Sequence, residues 1–262
     1  MKIATWNVNS VRIREAMLSQ FVLAHRPDVL CLQETKVEDK DFPHELIARL
    51  GYEHIVFSGQ KSYNGVAILS KLPMKLHSTY DMISNGHKRH IAAELSDGTM
   101  IHNFYVPAGG DVPDVEANPK FDEKIRFVDA MRDWATQELK QHHRVIAVGD
   151  FNIAPLEQDV WSTKQLQKVV SHTPIEREKF REAQAAGQWV DAMRELVPHD
   201  QKLYSWWSYR NRDWNASDRG RRLDHIWLSP ALKSELKSGL ILRDARGFET
   251  PSDHVPVMVE LA

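Results

Sequence analysis

Asp150 and Asn152 close the run Val145-Ile146-Ala147-Val148-Gly149-Asp150-Phe151-Asn152. In an extended chain residues two apart point the same way, so the carboxylate and the amide face one spot. Comparable groups stand in other short apolar runs. Asn7 lies in Trp6-Asn7-Val8-Asn9, Glu34 in Leu32-Gln33-Glu34-Thr35, and Tyr105 in Phe104-Tyr105-Val106-Pro107. Asp224 lies in Arg222-Leu223-Asp224-His225, and Asp253-His254 in Ser252-Asp253-His254-Val255. The set is almost all oxygen donors with one or two imidazoles, which suits a hard ion, Mg²⁺ or Mn²⁺. Such an ion, a carboxylate base and a histidine together fit phosphodiester hydrolysis. A carboxylate or imidazole takes the proton of the attacking water, and a metal, a protonated histidine or an amide N–H answers the charge on the phosphate. Taken singly, each residue has an ordinary explanation as a turn former, a cap or a half-buried aromatic. Their joint occurrence at strand ends is what argues for a site.

Other chemistries lack their residues. No Cys pair or His-Glu-x-x-His is present for zinc, and His87-Lys88-Arg89-His90 reads as a polar loop rather than a ligand pair. No P-loop and no Gly-x-Gly-x-x-Gly cradles a nucleotide, and no Gly-x-Ser-x-Gly elbow holds a nucleophile.

The elements that must position these groups can be sketched. Strands are expected at Lys2 to Val8, Asp28 to Leu32, Tyr52 to Phe57, Gly65 to Ser70, Pro73 to Tyr80, Ile91 to Leu95 and Met100 to Val106. Another runs from Val145 into Gly149-Asp150-Phe151-Asn152, where it opens into a loop, and others are expected at Leu203 to Tyr209, Leu223 to Leu228 and Val257 to Leu261. Ser10 is the expected N-cap of a helix from Val11 to Ala24. Further helices are expected from Pro43 to Leu50 and over Phe121 to Leu139, and a short one from Asp191. Asp97-Gly98 reads as a hairpin turn, and residues 156–200 as mixed helix and loop. Adjacent strands often lack a helix between them. That favours mixed sheets packed face to face with helices outside over a purely parallel sheet.

The chain of 262 residues, 42% hydrophobic, can bury a large core, and residues 1–262 read as a single domain without linker or repeat. The formal net charge of -2 means that nucleic acid, if bound, meets a local basic patch. The lone Cys31 reads as a core residue. With no signal-peptide shape and no membrane-length apolar run, a cytoplasmic protein with no membrane partner is expected. Nothing suggests an obligate oligomer, so a monomer is expected.

Four segments carry a resemblance: Trp6-Asn7-Val8-Asn9-Ser10-Val11-Arg12, Leu32-Gln33-Glu34-Thr35-Lys36, Gly149-Asp150-Phe151-Asn152-Ile153-Ala154-Pro155 and Pro251-Ser252-Asp253-His254-Val255-Pro256-Val257. In this order they resemble the exonuclease III family of AP endonucleases, within the endonuclease/exonuclease/phosphatase superfamily. Ser205-Trp206-Trp207-Ser208-Tyr209-Arg210 and Gly220-Arg221-Arg222-Leu223-Asp224 resemble signatures of that branch. The resemblance implies a four-layer α/β sandwich with the site at one sheet end. It implies Mg²⁺-dependent cleavage of duplex DNA 5′ to an abasic site, leaving a 3′-OH, with 3′→5′ exonuclease and 3′-phosphodiesterase activity in many bacterial members. On this resemblance Glu34 is the main metal ligand with Asn7 beside it, and Asp150, Asn152, Asp253 and His254 complete the metal and catalytic set. Asp150 activates or orients the water, Asn152 donates to the transition state, and His254 contacts the scissile phosphate. Asp224 orients that histidine, and Tyr105 sits near the phosphate or leaving oxygen.

The stretch 204–222 interleaves Tyr204, Trp206, Trp207, Tyr209 and Trp214 with Arg210, Arg212, Arg219, Arg221 and Arg222. One Trp is expected to pack inward and Trp206 to wall a pocket that admits a base-less sugar. The arginines, Arg210 and Arg221 among them, are expected on phosphates. Arg89, Lys88 and Tyr63 match family positions that touch the DNA backbone. The competing readings are another phosphoesterase of the superfamily, such as a phosphoinositide phosphatase, and a DNA-binding scaffold with a dead site. The Trp-Trp stretch argues against the first, the complete polar set against the second.

Overall fold

The computed structural model describes residues 1–262. Twelve strands form two six-stranded sheets. The first sheet contains β1 (Lys2–Asn7), β2 (Val29–Gln33), β3 (His54–Ser58), β4 (Val66–Ser70), β11 (Leu236–Ile241) and β12 (Val257–Leu261), in the order β11-β12-β1-β2-β4-β3. The second contains β5 (Met74–Ser78), β6 (His90–Leu95), β7 (Met100–Tyr105), β8 (Val145–Asp150), β9 (Val190–Asp191) and β10 (Asp224–Leu228), in the order β5-β6-β7-β8-β10-β9.

Period-two alternation explains the layers. Ile3, Val29, Cys31 and Ile68 from one sheet meet Ile91, Ile101, Ile146, Val148 and Ile226 from the other in a shared core. The alternate residues Ala4, Trp6, Leu30 and Leu32 face α1 (Glu15–His25), which returns Met17, Leu18 and Phe21. On the far side Phe104, Val145 and Ala147 meet Phe127, Val128 and Met131 of α3 (Pro119–Gln141) and Phe180 of α5 (Pro174–Ala186). The result is the expected four-layer sandwich of two mixed sheets with helices outside.

Each sheet holds one parallel pair, β1 with β2 and β7 with β8; the other neighbours are antiparallel. A parallel pair needs a long crossover, supplied by α1 and α3. The carboxyl ends of both pairs emerge at one edge of the sandwich. Asn7, Glu34, Tyr105 and Asp150 are the residues found there. Gly149 makes the approach of β8 to β7 possible. Its φ is 142°, and a Cβ there would lie 1.9 Å from the Phe104 carbonyl oxygen.

Several expectations change. Asn9 and Ser10 take positive φ, and the Ser10 N–H donates to the Glu34 carbonyl at 2.7 Å, so Ser10 is not a cap. A 3-10 turn over Arg12–Arg14 precedes α1. Leu203 to Tyr209 is not a strand; Trp206 makes isolated bridges to Arg221 and His254. The structure adds the edge strand β11, whose Lys237, Ser238 and Gly239 are exposed and give no apolar alternation to read. His90 is buried at the start of β6, not part of a polar loop. The short helix α6 (Ala192–Leu196) does start at Asp191, whose side chain accepts from the Arg194 N–H.

Candidate active site

Asn7 ties the two sheets together. It is fully buried, and its Nδ2 donates to Glu34 Oε1 and to Asp150 Oδ2, each at 2.9 Å. The Tyr105 hydroxyl donates to the same Glu34 oxygen at 2.8 Å. Glu34 Oε2 pairs with Lys36 Nζ at 2.7 Å. Burial would raise the Glu34 carboxyl, but the Lys36 charge and these donors hold it below the ordinary carboxylate range. Burial and the neighbouring Glu34 and Asp150 carboxylates push the Tyr105 phenol well above its usual value, so it keeps its proton.

Asp150 is 1% exposed. Besides Asn7, it accepts from the Asn152 backbone N–H at 2.9 Å and from Asn152 Nδ2 at 3.1 Å. Asn152 Nδ2 also donates to the Val106 carbonyl at 2.9 Å, so both its N–H groups are committed and Oδ1 is its uncommitted atom. The positive φ of Asn152, 52°, folds the loop back to make these bonds. Lys124 Nζ, fully buried on α3, donates to the Asn152 carbonyl at 2.7 Å and pairs with the equally buried Glu176.

His254 lies between two carboxylates. Its Nδ1 is 2.8 Å from Asp224 Oδ2, and its Nε2 is 3.6 Å from Asp150 Oδ2. Burial alone would strip the imidazole of its proton, but the Asp224 and Asp150 charges push it well above the usual histidine value. Burial is also the main force on Asp150, raising it to about 7 against the opposing pull of His254 and with help from Asp224. Ser205 Oγ donates to Asp224 Oδ2 at 2.7 Å and accepts from the Leu223 and Asp224 N–H groups, which fixes the carboxylate behind the histidine. Asp253 Oδ2 accepts from Trp206 Nε1 at 2.9 Å.

The ligand atoms of Asp150, Asp224 and His254 lie within 4.8 Å of one another, a group that could hold a metal ion. Glu34 and Asp253 add carboxylates nearby. Asp224 Oδ1 is buried without a partner. A dense set of oxygen donors with an upward-pushed carboxyl at its centre is the environment a divalent cation relieves.

A cleft of about 740 Å³ opens over these groups. Glu34, Tyr105, Asp150, Asn152, Asp253 and His254 line it on one side. Trp206, Arg221, Leu223 and Val170 form an adjoining wall. Asn7 and Asp224 stand behind it, fully buried. Trp207 is 1% exposed and packs inward, while Trp206 is half-buried at the cleft. Arg221 stacks over the Trp206 ring at 5.2 Å and donates to the Val170 carbonyl and Ser171 Oγ, so its guanidinium is a fixed part of the wall. Arg210 and Arg219 line the rim and are exposed. Arg222 departs from the expected phosphate role: it is fully buried and held by Asp159 and Asp191. Arg89 lies outside the lining and braces Tyr105, its guanidinium 4.6 Å from the ring centre. Tyr63 is 69% exposed, also outside the cleft. Lys36, Lys124, Ser205 and Trp161 join the site without having stood out in the sequence. The place of Lys36 within the Glu34 segment was the available signal; the other three depend on long-range packing.

No helix of the protein is long and apolar enough to cross a membrane. The sequence profile of the endonuclease/exonuclease/phosphatase family matches residues 4–254. Exodeoxyribonuclease III of Haemophilus influenzae is 32% identical over 271 residues, which cover 99% of this chain and 99% of that protein. A solved structure of the 3′ phosphatase NExo from Neisseria, bound to a product DNA hairpin, is similar at TM-score 0.92 and 33% identity, covering 100% of this chain and 99% of its own. An AP endonuclease from Archaeoglobus fulgidus is similar at TM-score 0.91 and 30% identity, with 100% and 99% covered. With a buried carboxylate–histidine centre at the sheet edge and these full-length similarities, the chain belongs to the endonuclease/exonuclease/phosphatase family, as a nuclease of its exonuclease III branch.

Proposed function

We propose that this nuclease is a Mg²⁺-dependent DNA-repair phosphodiesterase, acting as a single catalytic domain and a monomer. It cleaves duplex DNA 5′ to abasic sites to leave a 3′-OH, and clears 3′-blocked ends through 3′→5′ exonuclease and 3′-phosphodiesterase action. The observation that carries this reading is one cleft lined both by the carboxylate–histidine centre and by a Trp206–Arg221–Leu223 wall. The wall suits a deoxyribose without its base, extruded from the duplex. The similar structures, an AP endonuclease and a 3′ phosphatase bound to DNA, support both arms.

The donor set fits the metal. Glu34 would be its main ligand, with Asp150, Asp253 and the amide oxygen of Asn152 beside it and His254 at the edge. Asn7, expected among the ligands, instead turns its Nδ2 to Glu34 and Asp150 and its Oδ1 to the Asn9 N–H, and so positions the two carboxylates. When bound, Mg²⁺ supplies Lewis-acid neutralisation of phosphate charge; Mn²⁺ has the same preference for oxygen. The chain's own groups do the rest. His254, kept protonated by the carboxylates on either side, donates from Nε2 to a phosphate oxygen. Asp150, raised toward neutrality and fixed by Asn7 and Asn152, takes the proton of the attacking water. This division assigns the base to Asp150 because an imidazolium has no lone pair to offer. Tyr105 keeps its proton and orders Glu34. The exposed Arg210 and Arg219 hold the DNA backbone at the rim.

The test is a duplex with one tetrahydrofuran abasic analogue, beside an intact duplex, a 3′-phosphate-blocked nick and an inositol phosphate, each with Mg²⁺. Incision at the analogue and repair of the nick are expected, both abolished by chelation. Turnover of the inositol phosphate without incision would reject the reading.

A further inference from the structure

On the side of the second sheet covered by α3, outside the lining of the nuclease cleft, a second group of metal-ligating side chains comes together. His77 of the edge strand β5, Glu138 near the end of α3 and His142 directly after that helix place one ligand atom each within 4.8 Å of one another. His142 Nε2 is 3.8 Å from Glu138 Oε1. Glu138 is 4% exposed, His77 is exposed and His142 half-buried, so the group is open to solvent at its imidazoles.

Behind the carboxylate runs a hydrogen-bond chain with one possible direction. The Tyr80 backbone N–H donates to His90 Nδ1 at 3.0 Å. A backbone N–H can only donate, so the His90 proton sits on Nε2. That nitrogen is 3.1 Å from His102 Nδ1, which therefore accepts. The His102 proton is then on Nε2, 3.0 Å from Glu138 Oε1. Both imidazoles are buried and the chain ends by aiming one carboxylate oxygen. Its other oxygen, Oε2, carries no protein hydrogen bond. No lysine or arginine pairs with Glu138; its partners are imidazoles. A buried carboxylate without a resident cation is costly unless something positive completes it.

We propose that His77, Glu138 and His142 form a binding site for a late first-row divalent cation of the Zn²⁺ class, distinct from the nuclease centre. Two imidazoles and one carboxylate suit that class better than Mg²⁺, which prefers oxygen alone. Zinc–ligand bonds of about 2.0–2.2 Å place tetrahedral ligand atoms roughly 3.3 Å apart, so closure asks for a shift of about 1.5 Å or less, available to the exposed His77. Three protein ligands leave a fourth position for water on the open side. The buried His90–His102 chain supplies the outer layer that orients a metal-bound carboxylate. The cation would clamp the edge strand β5 to the C-terminal end of α3.

The experiment titrates Zn²⁺ alone into the full chain in the presence of excess Mg²⁺, followed by calorimetry and thermal unfolding, with Co²⁺ as a visible-absorbing substitute. One equivalent of Zn²⁺ and a raised melting temperature are expected, with a tetrahedral Co²⁺ spectrum. The same equivalent should persist in Glu34→Ala, which disables only the nuclease centre. His77→Ala and His142→Ala are expected to weaken it by about tenfold or more each, with circular dichroism and the Mg²⁺-supported nuclease rate unchanged. Both residues reach solvent, so these variants test binding rather than folding. Absence of the equivalent, its loss in Glu34→Ala, or unchanged affinity in His77→Ala/His142→Ala would overturn the proposal.

Discussion

His254 shows how three residues make one charged group. An imidazole this buried would be neutral if left alone; Asp224 at Nδ1 and Asp150 facing Nε2 reverse that. Asp224→Asn keeps the shape and removes the charge. The proton on His254 then binds more weakly, so its value falls toward the ordinary one. In the proposed mechanism the protonated form does the work, so activity should be lost at lower pH on the alkaline side. We expect kcat to fall by about 10²–10⁴-fold and the alkaline limb of its pH profile to move to lower pH. A variant with low kcat but an unmoved limb would mean that Asp224 only shapes the pocket. At this scale the sequence was readable wherever a residue type announces chemistry: Glu34, Asp150 and His254 are examples. It was silent for Ser205, which fixes Asp224 through one hydroxyl, since serines are common everywhere. It misjudged Arg222, because only the fold places Asp159 and Asp191 beside it. The family resemblance makes Asn152 a donor to the transition state. Its committed N–H groups instead leave the oxygen free, which favours its place among the metal ligands.

The two parallel pairs are the elements that build the site, since each carries its crossover away and returns its strand ends to the same edge. Strands with apolar alternation or runs, such as β1, β2 and β8, were legible from periodicity alone. Residues 203–209 looked like a strand because they are aromatic-rich, yet tertiary contacts to Arg221, Asp253 and His254 replace a ladder. Within the mixed helix and loop expected over 156–200, α5 has a sequence signal for its start, since Thr173-Pro174-Ile175-Glu176 carries a capping box with proline at the first turn. That cap has a second use. Glu176 accepts from the Ser171 and Thr173 N–H groups while pairing with Lys124, which in turn holds the Asn152 carbonyl. Lys124→Met leaves Glu176 charged and buried without its cation. Removing one partner of such a pair costs about 3–5 kcal/mol, to be read from denaturant unfolding. Lys124→Met/Glu176→Gln should be less destabilised than Lys124→Met alone, since it strands no charge. Equal losses in the two variants would show that the pair matters only as packing. The single variant should also lower kcat more than it raises KM, because the loop bearing Asn152 loses its anchor.

Across the whole molecule the formal charge of -2 conceals how unevenly titratable groups are placed. His102, His172 and His225 are fully buried and His90 nearly so, and burial lowers the value of each. His225 is further discouraged by the Arg222 charge, and His90 by His102 and His77. In the unfolded chain these imidazoles take up protons near pH 6.5, whereas in the folded chain they resist. Below that pH the unfolded state binds more protons, so stability falls as pH falls. His254 has the opposite sign: its folded value lies above the unfolded one, so its contribution is already complete below pH 6.5 and cannot offset the loss. Each buried neutral histidine adds a slope of up to about 1.4 kcal/mol per pH unit below its unfolded value. Urea unfolding at pH 7.5 and pH 5.5 should therefore show a marked loss of stability at the lower pH, before most carboxylates titrate. His172→Asn, which keeps a polar side chain toward the Ala154 carbonyl and Thr163, should flatten that dependence by one proton's worth. Equal stability at the two pH values would mean that these imidazoles are protonated in place, with carboxylates such as Glu138 answering their charge.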